Sequence, residues 1–407
     1  MTTFDNNKMI PFLVIIGGSI LLLISFGLRH SFGLYLLPIT DHLGTGRELF
    51  AFASALNVLM IGIGSPLFGA FSDKYGSGKA SILGIILVIL SLFWMAYVNS
   101  PFGIIFSQTL FGLGSAGCGT AVVLGAVGRS VKASNRTLSL GIVMAAGSFG
   151  QFLMVPFISF LIELVGWSQS LIYLSFIASI MIFFSFFINY SRKSESSKLG
   201  TKQSLVEAIK EAFKSKSFNL LSLGFFVCGF HVTFVAVHLP AFVKDQNLPF
   251  WVGGWALAFI GIFNIVGTIY FGYLGDRMSK KNLLALLYSL RGLLFLIFIF
   301  LPKTELIVLL FACILGILWL STVPLTSGII TVIFGPYYMS MLYGWAFFVH
   351  QIGSFLGSWL GGRLFDTYGS YNLMWWICVA LGIIAAILHM PIKEIEVDRL
   401  TESKVKI

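Results

Sequence analysis

The sequence predicts an all-α membrane protein with twelve transmembrane helices in two six-helix halves. Of its 407 residues, 57% are hydrophobic and only 10% are charged, whereas a soluble domain carries about 25% charged residues. The apolar residues gather in runs that are long enough for helices of ~20 residues to cross a bilayer. Because these runs are continuously apolar and do not alternate with polar residues, they predict helices and not barrel strands.

Twelve apolar runs, which we name spans 1 to 12, follow one another along the chain. Spans 1 to 6 lie at about 11–39, 48–71, 80–98, 101–128, 137–163 and 168–190. Spans 7 to 12 lie at about 217–243, 251–273, 282–301, 304–333, 338–362 and 371–391. We therefore predict a first half at 1–190, a cytoplasmic linker at 191–216, a second half at 217–392 and a cytoplasmic tail at 393–407.

The end of the linker has a helical pattern. Leu205, Val206, Ile209 and Phe213 share one face of a helix, and basic residues lie elsewhere. Such a pattern is typical of an amphipathic helix on a membrane surface. A plain solvated linker is the alternative interpretation.

The basic residues predict the orientation of the chain. If the N-terminus is inside, 20 of the 26 Lys and Arg residues fall on the cytoplasmic side, four fall outside, and Arg29 and Arg291 lie within spans. Because cytoplasmic loops are enriched in Lys and Arg, we expect both termini in the cytoplasm and an even number of spans. The net charge of +10 reflects this asymmetry and does not predict nucleic-acid binding. Span 1 is too long for a cleavable signal and lacks an A-x-A site, so we expect it to be retained.

No residue set predicts catalysis, a metal site or a cofactor. The four cysteines, Cys118, Cys228, Cys313 and Cys378, are far apart within apolar runs and are best explained as buried hydrophobic residues. Neither a nucleophile–base set nor a cluster of metal ligands is present. The sequence therefore argues against an enzyme.

One short motif occurs twice, 203 residues apart. The loop after span 2 contains Gly69, Asp73, Lys74 and Gly76, and the loop after span 8 contains Gly272, Asp276 and Arg277. Glycine allows two helices to approach closely, and an aspartate can accept hydrogen bonds from a helix N-terminus. We predict that these two switch loops hold the halves in one state and release them in the other. A duplication of this kind indicates two parallel repeats.

The two switch loops resemble the G-x-L-x-D-R-x-G-R-K loop of the major facilitator superfamily, with Lys74 in place of arginine and Ser279 in place of glycine. Over nearly its whole length the chain is similar to the monocarboxylate-porter branch, including bacterial members. The similarity is carried by segments 27–33, 145–151 and 348–357. It implies a cavity lined by spans 1, 4, 7 and 10, no cofactor, and a small organic anion and protons as partners. It also implies a monomer within the lipid bilayer of the bacterial cytoplasmic (inner) membrane.

Ionisable residues inside a membrane are costly and are by default candidates for function. Arg29 and His30 lie in span 1, and arginine can hold a carboxylate through two parallel hydrogen bonds. Aligning span 1 with mammalian monocarboxylate porters places His30 at their lysine. Adjacent residues lie ~100° apart on a helix, so we predict that one of the two binds the substrate. The alternative is a pair that packs between helices.

Three histidines are predicted to carry protons or to bind substrate. His231 and His238 are seven residues apart in span 7 and share one face, and His350 lies in span 11. Histidine titrates near physiological pH. Interhelical hydrogen bonding is the alternative for each of them.

Span 8 lacks the aspartate and arginine of mammalian monocarboxylate porters, and Asn264 is its candidate substrate-binding residue. Arg291 lies in span 9, which is usually peripheral in this fold, and we expect it to pair with polar groups of a neighbouring helix.

Taken with the resemblance, these residues predict a proton-coupled secondary transporter of a small monocarboxylate or related organic anion that works by alternating access. Two alternatives remain open. One is an organic-anion exchanger or an efflux permease for another small solute. The other is a membrane sensor with a transporter fold that moves no solute.

Overall fold

The computed structural model describes residues 6–45, 47–189 and 203–400, and these are α-helical apart from short connections and two 3₁₀ turns. The first eight helices are α1 (Asn6–His30), α2 (Leu36–Leu43), α3 (Arg47–Tyr75), α4 (Ser77–Ala96), α5 (Pro101–Cys118), α6 (Thr120–Ser130), α7 (Arg136–Val165) and α8 (Trp167–Asn189). The remaining eight are α9 (Leu205–Lys214), α10 (Lys216–Asp245), α11 (Phe250–Gly275), α12 (Lys280–Phe300), α13 (Glu305–Leu318), α14 (Thr322–Phe334), α15 (Met339–Tyr368) and α16 (Asn372–His389).

Each predicted span falls largely within helix. Among the described residues, 11 segments are long and apolar enough to cross a membrane. The remaining predicted span is span 11, which forms the 30-residue helix α15. His350, Gln351 and several glycines lower the mean hydropathy of this helix. The outward-facing side chains of the helices include many large apolar residues, such as Leu67, Phe102 and Phe300, as expected for surfaces that contact lipid.

Spans 4 and 10 are interrupted in the middle. Span 4 breaks between α5 and α6 at Gly119, which is extended, with φ −96° and ψ −161°. Span 10 breaks between α13 and α14. We name residues 118–120 the first elbow and residues 318–322 the second elbow. An elbow leaves backbone carbonyl and amide groups without partners inside the helix, so these groups are available to side chains or ligands.

The chain divides into two compact units, which we describe separately. The first unit contains residues 1–132, 142–205 and 334–348, and the second contains 133–141, 206–333 and 349–407. The first unit thus holds the beginning of α15, and the second holds the beginning of α7.

The end of the linker forms α9, an amphipathic helix in the second unit. Ala208 and Ala212 are buried, whereas Val206 and Phe213 are exposed. Glu211 forms an ion pair with Arg399 at 3.4 Å. The rest of the predicted linker at 191–202 and the end of the predicted tail at 401–407 lie outside the described residues.

Candidate functional site

Arg29 lines a small pocket in the first unit. The pocket lies between α1, α3, the first elbow and the beginning of α15, and we name it the Arg29 pocket. Its lining residues are Ser25, Phe26, Arg29, Ile61, Ser65, Ser115, Ala116, Gly119, Thr120 and Phe347. Ser25 and Phe26 lie one turn before Arg29, so one face of α1 presents all three to the pocket. The lining therefore combines one cation, four hydroxyl groups and apolar walls.

Two groups in the Arg29 pocket lack partners. Among the residues that the structure describes, Arg29 forms no hydrogen bond and no ion pair. The hydroxyl of Ser115 is buried and also has no hydrogen-bond partner there. By contrast, Ser65 donates its hydroxyl to the carbonyl of Ile61 at 2.6 Å. Because buried polar groups are nearly always hydrogen-bonded, the Ser115 hydroxyl has the properties of a group that awaits a ligand, and the half-buried Arg29 guanidinium lines the same pocket.

His30 takes a different position from Arg29. Its side chain is exposed, and its ring meets the edge of Phe26 at a centroid distance of 5.9 Å. It is absent from the lining of the Arg29 pocket. Of the two residues that sequence reasoning left as alternatives, Arg29 is the one that faces this pocket. The substrate-binding role of either residue stays a prediction.

The three predicted histidines all lie in the second unit. His231 Nε2 donates to the carbonyl of Cys378 at 3.0 Å, and its buried Nδ1 has no partner among the described residues. His238 donates from Nε2 to the carbonyl of Ser358 at 2.8 Å, and its Nδ1 lies 3.2 Å from the hydroxyl of Tyr371. Both rings therefore point from α10 towards α15 and α16.

His350 has its own set of contacts. Its Nδ1 lies 3.1 Å from Oε1 of Gln351, and its ring packs on Phe225 at a centroid distance of 4.5 Å. The hydrogen bonds of the three histidines describe how each ring is held. They do not test the predicted proton-coupling roles.

Arg291 is fully buried at the second elbow. It donates from Nε to the carbonyl of Leu318 at 2.9 Å and from Nη2 to the carbonyls of Leu318 and Trp319. Its Nη1 lies 3.5 Å from Sγ of Cys228. The expected pairing of Arg291 with polar groups of a neighbouring helix is present, and the partners are the carbonyls at the C-terminus of α13. A cation at this end of a helix is also favoured by the helix dipole.

Asn264 is held at the same elbow. Its Oδ1 accepts a hydrogen bond from the backbone amide of Leu320 at 2.9 Å. The side chain thus satisfies an amide that the broken helix leaves free. Its predicted contact with a substrate stays a prediction.

The first switch loop is bound to the beginning of α15. Asp73 forms an ion pair with Arg129 and accepts a hydrogen bond from the backbone amide of Met341 at 2.8 Å. A Cβ atom added to Gly69 would lie 2.5 Å from the carbonyl oxygen of Ser340, so this close approach requires glycine. Lys74 is exposed.

Gly76 has a positive φ of 105°, a conformation that glycine adopts without strain. It ends the loop at the residue before α4. The glycine therefore allows the chain to turn directly from α3 into α4.

The second switch loop is bound to the beginning of α7. The two carboxylate oxygens of Asp276 accept hydrogen bonds from the backbone amides of Thr137 and Leu138, both at 2.8 Å. A Cβ atom on Gly272 would lie 3.0 Å from the carbonyl oxygen of Thr137. Arg277 is exposed and stacks over the ring of Tyr273 at 3.6 Å.

Ser279, which stands where glycine is usual in the second switch loop, has a hydrogen-bond partner in the tail. Ser279 donates to Oε1 of Glu394 at 2.8 Å, and the amide of Lys281 donates to the same oxygen at 2.7 Å. The tail thus supplies the acidic cap for the first turn of α12, where negative charge is favoured.

Comparison with known proteins shows the family. Residues 17–358 match the Major Facilitator Superfamily. The chain belongs to this superfamily. It is 25% identical over 382 residues to an uncharacterised MFS-type transporter, YcxA, of Bacillus subtilis, covering 89% of this chain and 90% of that protein. It is 24% identical over 380 residues to monocarboxylate transporter 11 of Mus musculus, covering 90% of this chain and 84% of that protein.

A solved structure shows the same fold. The proton:xylose symporter XylE superposes with a TM-score of 0.74 at 14% identity, covering 94% of this chain and 95% of XylE. The all-α fold of the superfamily and the resemblance to its monocarboxylate branch, both predicted from the sequence, are confirmed. The members of this superfamily are transporters and not enzymes, so the chain is a membrane transporter.

Sequence reasoning did not identify the partners of the switch loops. Met341 and Leu138, whose amides bind Asp73 and Asp276, are themselves 203 residues apart, the same offset that separates the two aspartates. Leu138 and Met341 therefore occupy equivalent positions in the internal repeat. Once one of the two pairs is known, the 203-residue offset predicts the other.

Proposed function

We propose that this transporter carries a small monocarboxylate or a related organic anion, coupled to protons, by alternating access. The observation that supports the substrate class most strongly is Arg29, a guanidinium that has no partner among the described residues and lies in a pocket of hydroxyl groups. An unpaired cation in a low-dielectric site is costly. A bound carboxylate would offset this cost through hydrogen bonds that the guanidinium geometry favours.

The other pocket residues support a small anion. The described residues that line the Arg29 pocket include no carboxylate, so none of them competes with an anionic ligand. Phe26 and Phe347 provide apolar walls for a short carbon chain, and Ser115 offers a hydroxyl for an oxygen of the ligand.

Proton coupling is proposed to use His231, His238 or His350. His231 is the best supported, because its Nδ1 has no partner among the described residues and can accept a proton without first losing a hydrogen bond. A histidine in such a position would bind a proton in the state of the cycle that opens to water.

Alternating access is proposed to use the two switch loops. In this proposal the six-helix halves at 1–190 and 217–392 move as units, and the bonds from Asp73 and Asp276 hold one state. The excess of basic residues on one side of the spans supports cytoplasmic termini, and the bacterial relative supports the cytoplasmic (inner) membrane of a bacterium. A monomer is sufficient for this mechanism.

Uptake into proteoliposomes tests the proposal. Labelled short-chain carboxylates and neutral amides with the same carbon skeleton are compared under an inward proton gradient. We expect carboxylate uptake that saturates, that exceeds amide uptake, and that falls when a protonophore collapses the gradient.

Three outcomes would change the proposal. Uptake of neutral or cationic compounds alone would contradict the anion site. Counterflow of carboxylates without any dependence on the gradient would favour an exchanger. Binding of carboxylates without flux would favour a sensor.

A further inference from the structure

The second elbow is fixed by side chains from three different spans. Cys228 of span 7 lies 3.2 Å from the hydroxyl of Thr322, and Asn264 of span 8 accepts from the amide of Leu320. Arg291 of span 9 binds the carbonyls of Leu318 and Trp319. All three residues are buried within the second unit. We name this set of contacts the elbow clamp.

The elbow clamp stands at the place in the repeat where the first unit has the Arg29 pocket. Ser25, Ile61 and Ser115 line that pocket, and they precede Cys228, Asn264 and Leu318 by the same 203 residues. This offset also relates Gly64 to Gly267, both of which pack closely against the elbow-containing span of their own unit. The two regions are therefore equivalent in the duplicated fold.

The residue of span 9 is one of the differences between these regions, and it is the only charged member of the elbow clamp. The position equivalent to Arg291 in span 3 is Val88, which is buried and has no polar group. Val88 therefore offers no donor to the first elbow; the donor from span 3 is Ser81, which donates to the carbonyl of Gly117 at 3.4 Å, and Ser115 has no hydrogen-bond partner among the described residues. In the second unit, the guanidinium of Arg291 in span 9 donates hydrogen bonds to the carbonyls of Leu318 and Trp319.

We infer that Arg291 is a positioning residue that permanently occupies the second copy of the site. Arginine has five N–H donors, and the elbow carbonyls and Cys228 engage most of them. Arg291 therefore serves as an internal cation that keeps span 10 bent, and it does not contact the transported solute. The transporter would then bind its solute through the first copy of the site only.

Cysteine labelling tests the clamp without any knowledge of the substrate. Cys228 is fully buried against Arg291, and Cys118 and Cys378 are equally buried elsewhere, so they serve as internal controls. The purified protein is treated with methyl methanethiosulfonate, and mass spectrometry reads the modification of each cysteine. We expect Cys228 to be protected in the native protein and labelled in R291A, because the truncated side chain leaves a space beside the thiol.

Guanidinium chloride at millimolar concentration provides a chemical rescue. The free guanidinium ion should occupy the space in R291A and protect Cys228 again, whereas urea at the same concentration should not. Protection of Cys228 in R291A without guanidinium would contradict the clamp. Labelling that guanidinium fails to suppress, while Cys118 and Cys378 stay protected, would contradict it as well.

R291K keeps the test decisive if R291A does not fold. Lysine retains the charge and can donate to one or two of the carbonyls, so we expect R291K to fold and to show intermediate labelling of Cys228. Labelling of every buried cysteine in R291A would support the clamp if R291K shows only intermediate labelling of Cys228 and keeps Cys118 and Cys378 protected. Equal labelling of every buried cysteine in both variants would contradict it, since the donors that lysine retains would then have no effect on the elbow.

A transport assay separates positioning from substrate contact, and this part rests on the proposed function. We expect R291K to lower the maximal rate by roughly tenfold or more while the half-saturating concentration of the carboxylate stays unchanged. A raised half-saturating concentration with an unchanged maximal rate would place Arg291 in contact with the solute and overturn the inference. If no carboxylate is transported by the native protein, the proposed substrate class fails, but the labelling result still stands.

Discussion

The first and second elbows occupy equivalent positions in the repeat, yet their surroundings differ. At the first elbow, Arg29 and Ser115 face a small pocket without partners among the described residues. At the second elbow, Arg291 is fully buried and bound to backbone carbonyls. An arginine in a membrane span can thus be a half-buried candidate for ligand binding, as Arg29 is, or a fully buried brace, as Arg291 is, and its burial and hydrogen bonds distinguish the two roles.

The switch loops show a second difference between the halves. Asp73 combines an ion pair to Arg129 with one bond to a backbone amide. Asp276 uses both oxygens on two backbone amides. Both aspartates therefore bind the N-terminus of a helix, and Asp73 also forms an ion pair with Arg129.

The largest effect is expected from R29Q. Glutamine keeps hydrogen-bonding capacity but removes the charge, and removal of one partner from a buried charge pair costs about 2–5 kcal/mol. We expect saturable carboxylate uptake to fall to background in proteoliposomes, with partial activity in R29K. The matched control is R363Q, an exposed arginine outside the Arg29 pocket, which should transport normally. If R29Q takes up the carboxylate as fast as the native protein does, Arg29 is not part of the substrate-binding site.

Substitutions in the switch loops are expected to have a smaller effect, and D73N should lower the unfolding temperature and the maximal transport rate more than D276N does. D73N leaves the largely buried Arg129 without its carboxylate, which costs about 3 kcal/mol, whereas D276N loses one of two charge-assisted bonds to backbone amides, worth about 2 kcal/mol. The measurement is thermal unfolding in detergent together with the maximal transport rate. The reverse order would contradict the described difference between the two loops.

A few-fold effect is expected from S115A. The hydroxyl has no partner among the described residues, so its removal should leave thermal stability unchanged while it weakens carboxylate binding by about 1 kcal/mol. S65A is the control in the same pocket, because Ser65 already donates to the carbonyl of Ile61. Equal affinities in S115A and S65A would argue that the ligand does not reach Ser115.

The smallest effect is expected from E394Q. The glutamine oxygen can still accept from Ser279 and the Lys281 amide, so only the charge contribution of about 0.3–1 kcal/mol is lost. Thermal unfolding should show a slight decrease relative to D398N, a neighbouring charge change. A large loss of stability would show that the tail does more than cap α12.

The sequence predicted the class of fold and the repeat because both depend on long patterns. Hydrophobic runs predict spans, and the offset between Asp73 and Asp276 predicts the duplication. The same patterns could not choose between Arg29 and His30, because the rotation of a helix about its axis is fixed by packing with its neighbours. In the same way, the bonds of Arg291 depend on the break in span 10, which the continuous apolar run in that region does not show.

The central claim is that Arg29 binds the anion and Arg291 does not. Calorimetric titration of the purified transporter with the carboxylate that it transports measures this most directly, in the native protein, R29Q and R291K. We expect binding to be lost in R29Q and retained in R291K with native affinity. Native affinity in R29Q, or loss of binding in a folded R291K, would contradict the claim.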